Sequence, residues 1–350
     1  MGTATAGFGG LERSSAGGAT AVARILARAK LATDPLLRAA VETLPGELRM
    51  MGGYHFGWWD ERGTPTRAES GKGLRPALVL AAARAAGASA EAALPAAVAV
   101  ELVHNFTLIH DDVMDHDEMR HGRPTIWKLW GATDAILAGD ALQGLAIRLL
   151  ASEPGVGVGA IARLEQAVIE LCLGQFHDCA FETRQDVTLD ECLEVVRHKC
   201  GSLLGCACVL GALAAEAPPG VIDTMDTFGR ELGIAFQLVD DLLGIWGDPA
   251  RTGKPVGADL VRRKHSLPVV AALSSGTPAG RELAELYRDG RPMDPVTIAR
   301  ATDLVTLAGG KRWVQAESRR YLDSAVSQLA NFPASGDLHH LAHAVVHRDR

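Results

Sequence analysis

The sequence predicts an all-α fold, a single bundle of many helices, and three observations carry that prediction. Aromatic residues make up only 5% of the chain while Ala and Leu recur throughout, which favours helices packed through small and aliphatic side chains over a β-rich core. Apolar residues return every three or four positions along most of the length, and no alternating strand pattern competes. No repeat of fixed period stands out, which argues against a solenoid. The composition of the 350 residues, 47% hydrophobic and 22% charged, excludes disorder, collagen and coiled coil.

Taken in order, residues 1–18 are rich in Gly, Ala, Ser and Thr and read as a flexible tail. No linker composition appears after it, so 19–350 are expected to form one domain. Ala19 to Met50 has helical spacing interrupted by Pro35 and Pro45, and Gly52 to Gly73 is turn-rich. Pro76 to Asp115 is helical with a break near Gly87 and Ser89. Further helices are expected at 132–151, 158–180, 189–216 and 219–246. A basic, loop-like stretch follows Gly247 as far as Lys264, and shorter helices then occupy 266–274, 280–289, 295–308 and 310–330.

The formal charge is 35 minus 42, or −7, which gives no reason to expect nucleic acid as a partner. Six cysteines lie between Cys172 and Cys208 without a CxxC pair or zinc-like spacing and read as reduced core residues. No secretory signal is visible, which points to the cytoplasm, and the uncharged stretch Cys200 to Ala215 is too short and too broken by glycine to span a bilayer, so no transmembrane segment is expected.

Two acidic clusters carry the functional argument. In Asp111-Asp112-Val-Met-Asp115, residues four apart share a helix face, so Asp111 and Asp115 converge. A shared Mg2+ relieves such repulsion and leaves coordination positions for phosphate oxygens; a solvated acidic helix end is the other reading of the pair taken alone. A second strongly apolar stretch ends in Phe236-Gln237-Leu-Val-Asp240-Asp241, 129 residues after the first pair. Two such pairs suggest helices facing each other across a pocket. Around them stand Lys72, Arg75, Arg120, Arg123, Lys199, Lys254 and Lys264, cations suited to a polyanionic phosphate ligand.

These residues resemble the trans-type isoprenyl diphosphate synthases, also called polyprenyl synthetases, across most of the chain. The resemblance rests on Gly71-Lys72-Gly-Leu-Arg75-Pro76, Glu101-Leu-Val-His104, the DDxxD at Asp111 to Asp115, Arg120-His-Gly-Arg-Pro-Thr125, Gly174-Gln175-Phe-His-Asp178, Lys199 and Phe236 through Asp241. Downstream, Gly247-Asp248-Pro, Thr252-Gly253-Lys254, Asp259 and Lys264 keep the family's order.

The resemblance implies helices around a deep cavity and a Mg2+-dependent condensation of isopentenyl diphosphate with an allylic diphosphate of five, ten or fifteen carbons. It implies three Mg2+ per site, with Mn2+ as a substitute, and a homodimer. Asp111, Asp115 and Asp240 would be the main metal ligands, with Asp112 and Asp241 supporting them. Arg120, Lys199 and Lys254 would neutralise the allylic diphosphate, Lys72, Arg75 and His104 would hold isopentenyl diphosphate, and Gln237 with the main chain near Lys199 would stabilise the carbocation. His121 and Lys264 complete the expected substrate contacts.

The sequence departs from the family pattern at four places. Gly244 stands where a third Asp is common; if Asp240 is the principal ligand, the loss is of an outer contact, Asp248 can compensate, and Gly244→Asp should change Mg2+ affinity only modestly. His121 replaces a second Arg, for which Arg123 is the expected substitute. Gly73 replaces a frequent Arg, and Cys200 a frequent Thr. Product length in the family is set just upstream of the first motif, where Phe106 and Thr107 lie without an insertion. This resembles the geranylgeranyl, C20, pattern, so Phe106→Ala is expected to lengthen the product; packing of Phe106 in the core, with deeper residues setting the length, is the alternative.

Other readings are a C15 or longer product, a class I terpene synthase, and a non-catalytic regulatory subunit. The terpene synthase would need Ser or Thr and then Glu near Asp240, which are missing, and a silent subunit has little use for a complete DDxxD. His339, His343 and His347 recur every four residues and read as surface or dimer contacts, and Gly155-Val-Gly157-Val-Gly159 reads as a connection.

Overall fold

The computed structural model describes residues 9–66, 68, 71–153, 157–181, 184, 186–248, 257–288 and 292–346. Its elements are helices α1 (Gly9–Glu42), α2 (Gly46–His55), α3 (Leu74–Ala85), α4 (Leu94–Met114), α5 (Ile126–Trp130), α6 (Ala132–Ser152), α7 (Val158–Phe181) and α8 (Leu189–Val196). They continue as α9 (Ser202–Ala214), α10 (Pro219–Trp246), α11 (Ala258–Val261), α12 (Leu267–Leu273), α13 (Pro278–Arg288), α14 (Pro295–Leu307), α15 (Gly310–Ser327) and α16 (Gly336–Val346). Strands β1 (Met119–Arg120) and β2 (Arg123–Pro124) form the one sheet among the described residues. The fold is all-α, as the periodicity predicts.

The helices begin and end where local chemistry dictates. Pro95 and Pro219 open α4 and α10, where the missing N–H costs nothing. At α8, Thr188 accepts from the Glu191 amide while Glu191 accepts in return from the Thr188 amide, a reciprocal cap. The longest apolar helices form the centre: α4 packs on α6, α3 on α9, and α10 on both α9 and α15. Glycine allows the closest crossing. A Cβ on Gly229 or Gly233 of α10 would meet the carbonyls of Leu204 at 2.4 Å and Cys200 at 2.7 Å.

Several expectations need correction. Helix α1 starts at Gly9, ahead of Ala19, where the helical spacing is read to begin. It also runs through Pro35; the carbonyl that loses its bond there belongs to Leu31, which is 79% exposed and can be hydrated. The single helix expected over 189–216 is broken by a π-helical turn, Arg197–Gly201, between α8 and α9. The β1–β2 hairpin turns on His121 and Gly122, with φ of 50° and 72°. Cys172 is exposed, while Cys192, Cys206 and Cys208 are buried.

Candidate active site

A cavity of about 610 Å3 opens between the C-terminal ends of α4 and α10. On α4 it is lined by Glu101, His104, Leu108, Asp111 and Asp115, a helical stripe at spacings of three and four. On α10 it is lined by Phe236, Gln237, Asp240, Asp241 and Gly244. Both stripes end in carboxylates at the C-terminal end of their helix, so each helix delivers its acids to the same chamber.

At the α4 end the two adjacent aspartates part company. Asp111 faces the cavity, where burial raises its carboxyl above the usual range against the pull of Lys199, with Asp115 adding repulsion. Asp112 is only 3% exposed and is absent from the cavity lining. Its Oδ1 accepts from Arg120 Nη2 at 2.7 Å and Nε at 2.9 Å, and its Oδ2 accepts from Nε at 3.1 Å. The expectation that Asp112 is a metal ligand is therefore corrected: a helix turns by about 100° per residue, and the carboxylate next to Asp111 is committed to orienting Arg120, which does line the cavity.

At the α10 end Asp240 is exposed to the chamber, whereas Asp241 is held from two sides. Leu267 N donates to Asp241 Oδ2 at 2.9 Å and Gln237 Nε2 to Oδ1 at 2.7 Å, while burial pushes this carboxyl up to about 7. The Gln237 carbonyl accepts from Cys200 Sγ at 3.1 Å. Burial pushes the Cys200 thiol up to about 12, so it stays a neutral donor.

The π-helical turn carries Lys199. Its Nζ donates to Asp178 Oδ2 of α7 at 2.8 Å, and Gly174 makes the approach possible, since a Cβ there would lie 2.6 Å from the Lys199 amide nitrogen. Although burial acts against its charge, Asp178 and Asp111 hold the Lys199 ammonium protonated. Lys264 is likewise favoured as a cation by Asp178, Asp241 and Asp259 despite its burial, and both lysines line the cavity.

Lys72, Arg75, His104 and His121 line the same chamber. Burial, with the Arg75 and Arg120 charges, pushes His104 well below its ordinary value, so it is a neutral donor. His55 is also neutral, lowered to about 3 by burial and by Arg120; its Nε2 donates to Asn105 Oδ1 at 2.9 Å. Asn105 in turn donates to the Glu101 carbonyl at 2.8 Å and carboxylate at 3.2 Å.

Three further expectations, for Arg123, Phe106 and Asp248, fail on position. Arg123, expected to substitute for the missing arginine at 121, is not in the lining; it donates to the Tyr54 and Trp59 carbonyls at 2.8 and 3.1 Å and stacks 4.0 Å from the Tyr54 ring. The two arginines are direct partners in the hairpin and part by their anchors, Arg120 being held by the Asp112 carboxylate and Arg123 by main-chain carbonyls. Phe106 is buried outside the cavity, its ring 4.9 Å from that of His110, whereas Thr107 lines it together with Leu108, Leu171 and Leu203. Asp248 borders a separate cavity beside Trp246 and Lys311, away from Asp240. Lys254, with Thr252 and Gly253, lies outside the described residues, as does His347.

Residues that sequence reasoning missed include Lys30 and Asp34 of α1, and His55 and Asn105, all on the cavity wall. Arg262 forms an ion pair with Asp117, so the basic run after α11 closes onto the acidic run after α4. The clustering of opposite charge in those two runs was visible in the sequence; their pairing was not.

Among the described residues no three His, Cys, Asp or Glu side chains stand close enough to hold an ion by themselves. Hard carboxylate oxygens at two facing helix ends fit Mg2+, which takes one or two protein carboxylates and fills its octahedron with water and phosphate oxygens.

The comparisons agree with this geometry. The family model described as Polyprenyl synthetase matches residues 61–305. A geranylgeranyl diphosphate synthase of Mycobacterium tuberculosis is 47% identical over 327 residues, 93% of each chain. A (2E,6E)-farnesyl diphosphate synthase of the same species is 46% identical over 323 residues, 90% of each chain. The crystal structure of a polyprenyl synthetase from Streptomyces coelicolor superposes with a TM-score of 0.89 at 42% identity, covering 93% of this chain and 99% of that one. With two facing aspartate ends, a cationic wall and this similarity along nearly its whole length, the chain belongs to the polyprenyl synthetase family of trans-prenyltransferases.

Proposed function

We propose that the protein condenses isopentenyl diphosphate with an allylic diphosphate in a Mg2+-dependent reaction and releases geranylgeranyl diphosphate. The observation that carries this is one chamber that gathers Asp111, Asp115 and Asp240 with the cations Lys72, Arg75, Arg120 and Lys199. Arg120 and Lys199 stand beside Asp111 and suit the allylic diphosphate; Lys72, Arg75 and His104 suit a second one. Asp111, Asp115 and Asp240 would hold the metal, which when bound supplies charge neutralisation of the departing diphosphate.

The residues that line the chamber account for the rest. Arg120, fixed by Asp112, and Lys199, fixed by Asp178, present their charges to the diphosphate oxygens without reorganising. The allylic C–O bond breaks with its electron pair going to the diphosphate, the isopentenyl double bond supplies the electrons of the new C–C bond, and a proton leaves to the released diphosphate. Oriented by Asp241 and Cys200, Gln237 keeps its dipole at the site of positive charge. Leu108, Leu171, Leu203 and Phe236 keep water away from the cation and provide an apolar path for the tail.

The two M. tuberculosis relatives carry different product names, so the C20 reading rests on the small Thr107, which lines the cavity together with Leu171 and Leu203. The exposed Leu137 of α6 and Ile169, Leu173 and Phe176 of α7 form apolar surface that supports a homodimer, and we read the protein as one domain acting in the cytoplasm. The test is incubation of the purified protein with Mg2+, labelled isopentenyl diphosphate and each allylic primer. Labelled C20 diphosphate is the expected product. Hydrocarbon formed without isopentenyl consumption overturns the reading.

A further inference from the structure

We propose that Asp259 supplies the carboxylate that α10 lacks at position 244, and that Gly244 is the seat that admits it. The inference rests on the function proposed above. Residues 237, 240, 241 and 244 form one helical stripe on the cavity wall, and the last of them has no side chain. The space is filled from elsewhere. A Cβ built on Gly244 would lie 2.3 Å from Asp259 Oδ2, 2.6 Å from its Cγ and 2.9 Å from its Oδ1. The carboxylate of Asp259 therefore occupies the volume in which a side chain at 244 would begin, and both residues line the cavity.

The chain around Asp259 is built to hold it there. Gly257, with φ of 72°, turns the backbone into the short helix α11, which presents Asp259 at its start. The Asp259 carbonyl accepts from the Lys264 amide at 2.9 Å, and Arg263 Nη1 donates to the carbonyls of Leu286 and Tyr287 at 2.7 Å, anchoring the loop to α13. The Asp259 charge also favours the Lys264 ammonium, alongside Asp178 and Asp241. Asp240, Asp241 and Asp259 thus give the α10 side three carboxylates, although only two come from the helix. The expectation that Gly244→Asp is nearly neutral is revised by the same geometry: a new side chain at 244 displaces a carboxylate already in place.

The test compares the full-length protein with the variants Asp259→Asn, Gly244→Asp, Gly244→Ala and the exchange Gly244→Asp/Asp259→Gly. The readout is thermal stabilisation by inorganic pyrophosphate as Mg2+ is titrated, with no turnover involved, and the melting temperature without Mg2+ reports on folding. Asp259→Asn and Gly244→Ala should each raise the Mg2+ concentration for half-maximal stabilisation by about 10-fold or more, and the exchange should recover most of the loss. An unchanged Mg2+ midpoint in Asp259→Asn, or an exchange variant no better than Gly244→Asp, overturns the inference. A wild-type protein that pyrophosphate and Mg2+ fail to stabilise overturns the proposed function and this inference together. A response in the wild type that Asp111→Asn loses and Asp259→Asn keeps overturns this inference alone.

Discussion

The two aspartate-bearing helix ends look alike in sequence and are built differently. At the end of α4 the motif acids stay with one helix and its cap: Asp111 and Asp115 turn to the cavity while Asp112 is consumed by Arg120. The end of α10 is composite. Asp240 faces the chamber, Asp241 is fixed by Gln237 and the Leu267 amide, and the place of a third acid is taken by Asp259 of the short helix α11, fifteen residues on. A motif thus specifies which charges arrive, and packing decides which of them remain available for a ligand.

The largest effect expected from breaking this comparison is on rate. Asp111→Asn and Asp240→Asn should each lower kcat by about 10²–10³-fold, the usual cost of removing one group that stabilises developing charge. Steady-state kinetics at saturating Mg2+ checks this, and a variant within threefold of wild type would remove that residue from the site. Next, Asp112→Asn should lower unfolding stability by about 1–3 kcal/mol, because Arg120 loses its bidentate partner but is partly reached by solvent. Denaturant titration measures that loss, and kcat/KM should fall with it as Arg120 is no longer aimed.

Acid and base should then separate the two ends. His55, on the α4 side, has its folded value lowered from 6.5 to about 3, so its contribution is present above pH 6.5 and fades as pH falls toward 3. Asp241, on the α10 side, is raised from 3.8 to about 7, so its contribution is present below pH 3.8 and fades as pH rises through 7. Melting temperatures across that range for His55→Gln and Asp241→Asn should flatten opposite limbs of the wild-type profile. The smallest expected effect on rate is at Thr107. Thr107→Phe should shorten the product from C20 to C15, and Phe106→Ala, its ring lying off the cavity, should leave the product length unchanged; product chromatography distinguishes them.

Much of this was legible in the sequence wherever a feature is local. The helices from 132 to 180, the apolar runs that end in Asp111 and Asp240, and the cations Lys72, Arg75 and Lys199 follow from periodicity, punctuation and motif. What escaped reading depends on contacts distant in the chain. That Asp112 faces Arg120, that Arg123 clamps Tyr54, and that Asp259 fills the space at Gly244 are consequences of how the hairpin and the α11 loop pack. The π-helical turn at Lys199, against which Gly174 of α7 packs closely, had no local signal either.

The central claim is that the two helix ends grip one diphosphate. A double-mutant cycle with Asp111→Asn and Asp240→Asn, read as Mg2+-dependent affinity for inorganic pyrophosphate, tests it most directly. The account predicts that either substitution removes most of the Mg2+-dependent gain in affinity and that the double variant loses little more. Independent, additive losses from the two substitutions would show that the ends act on separate ligands and would contradict it.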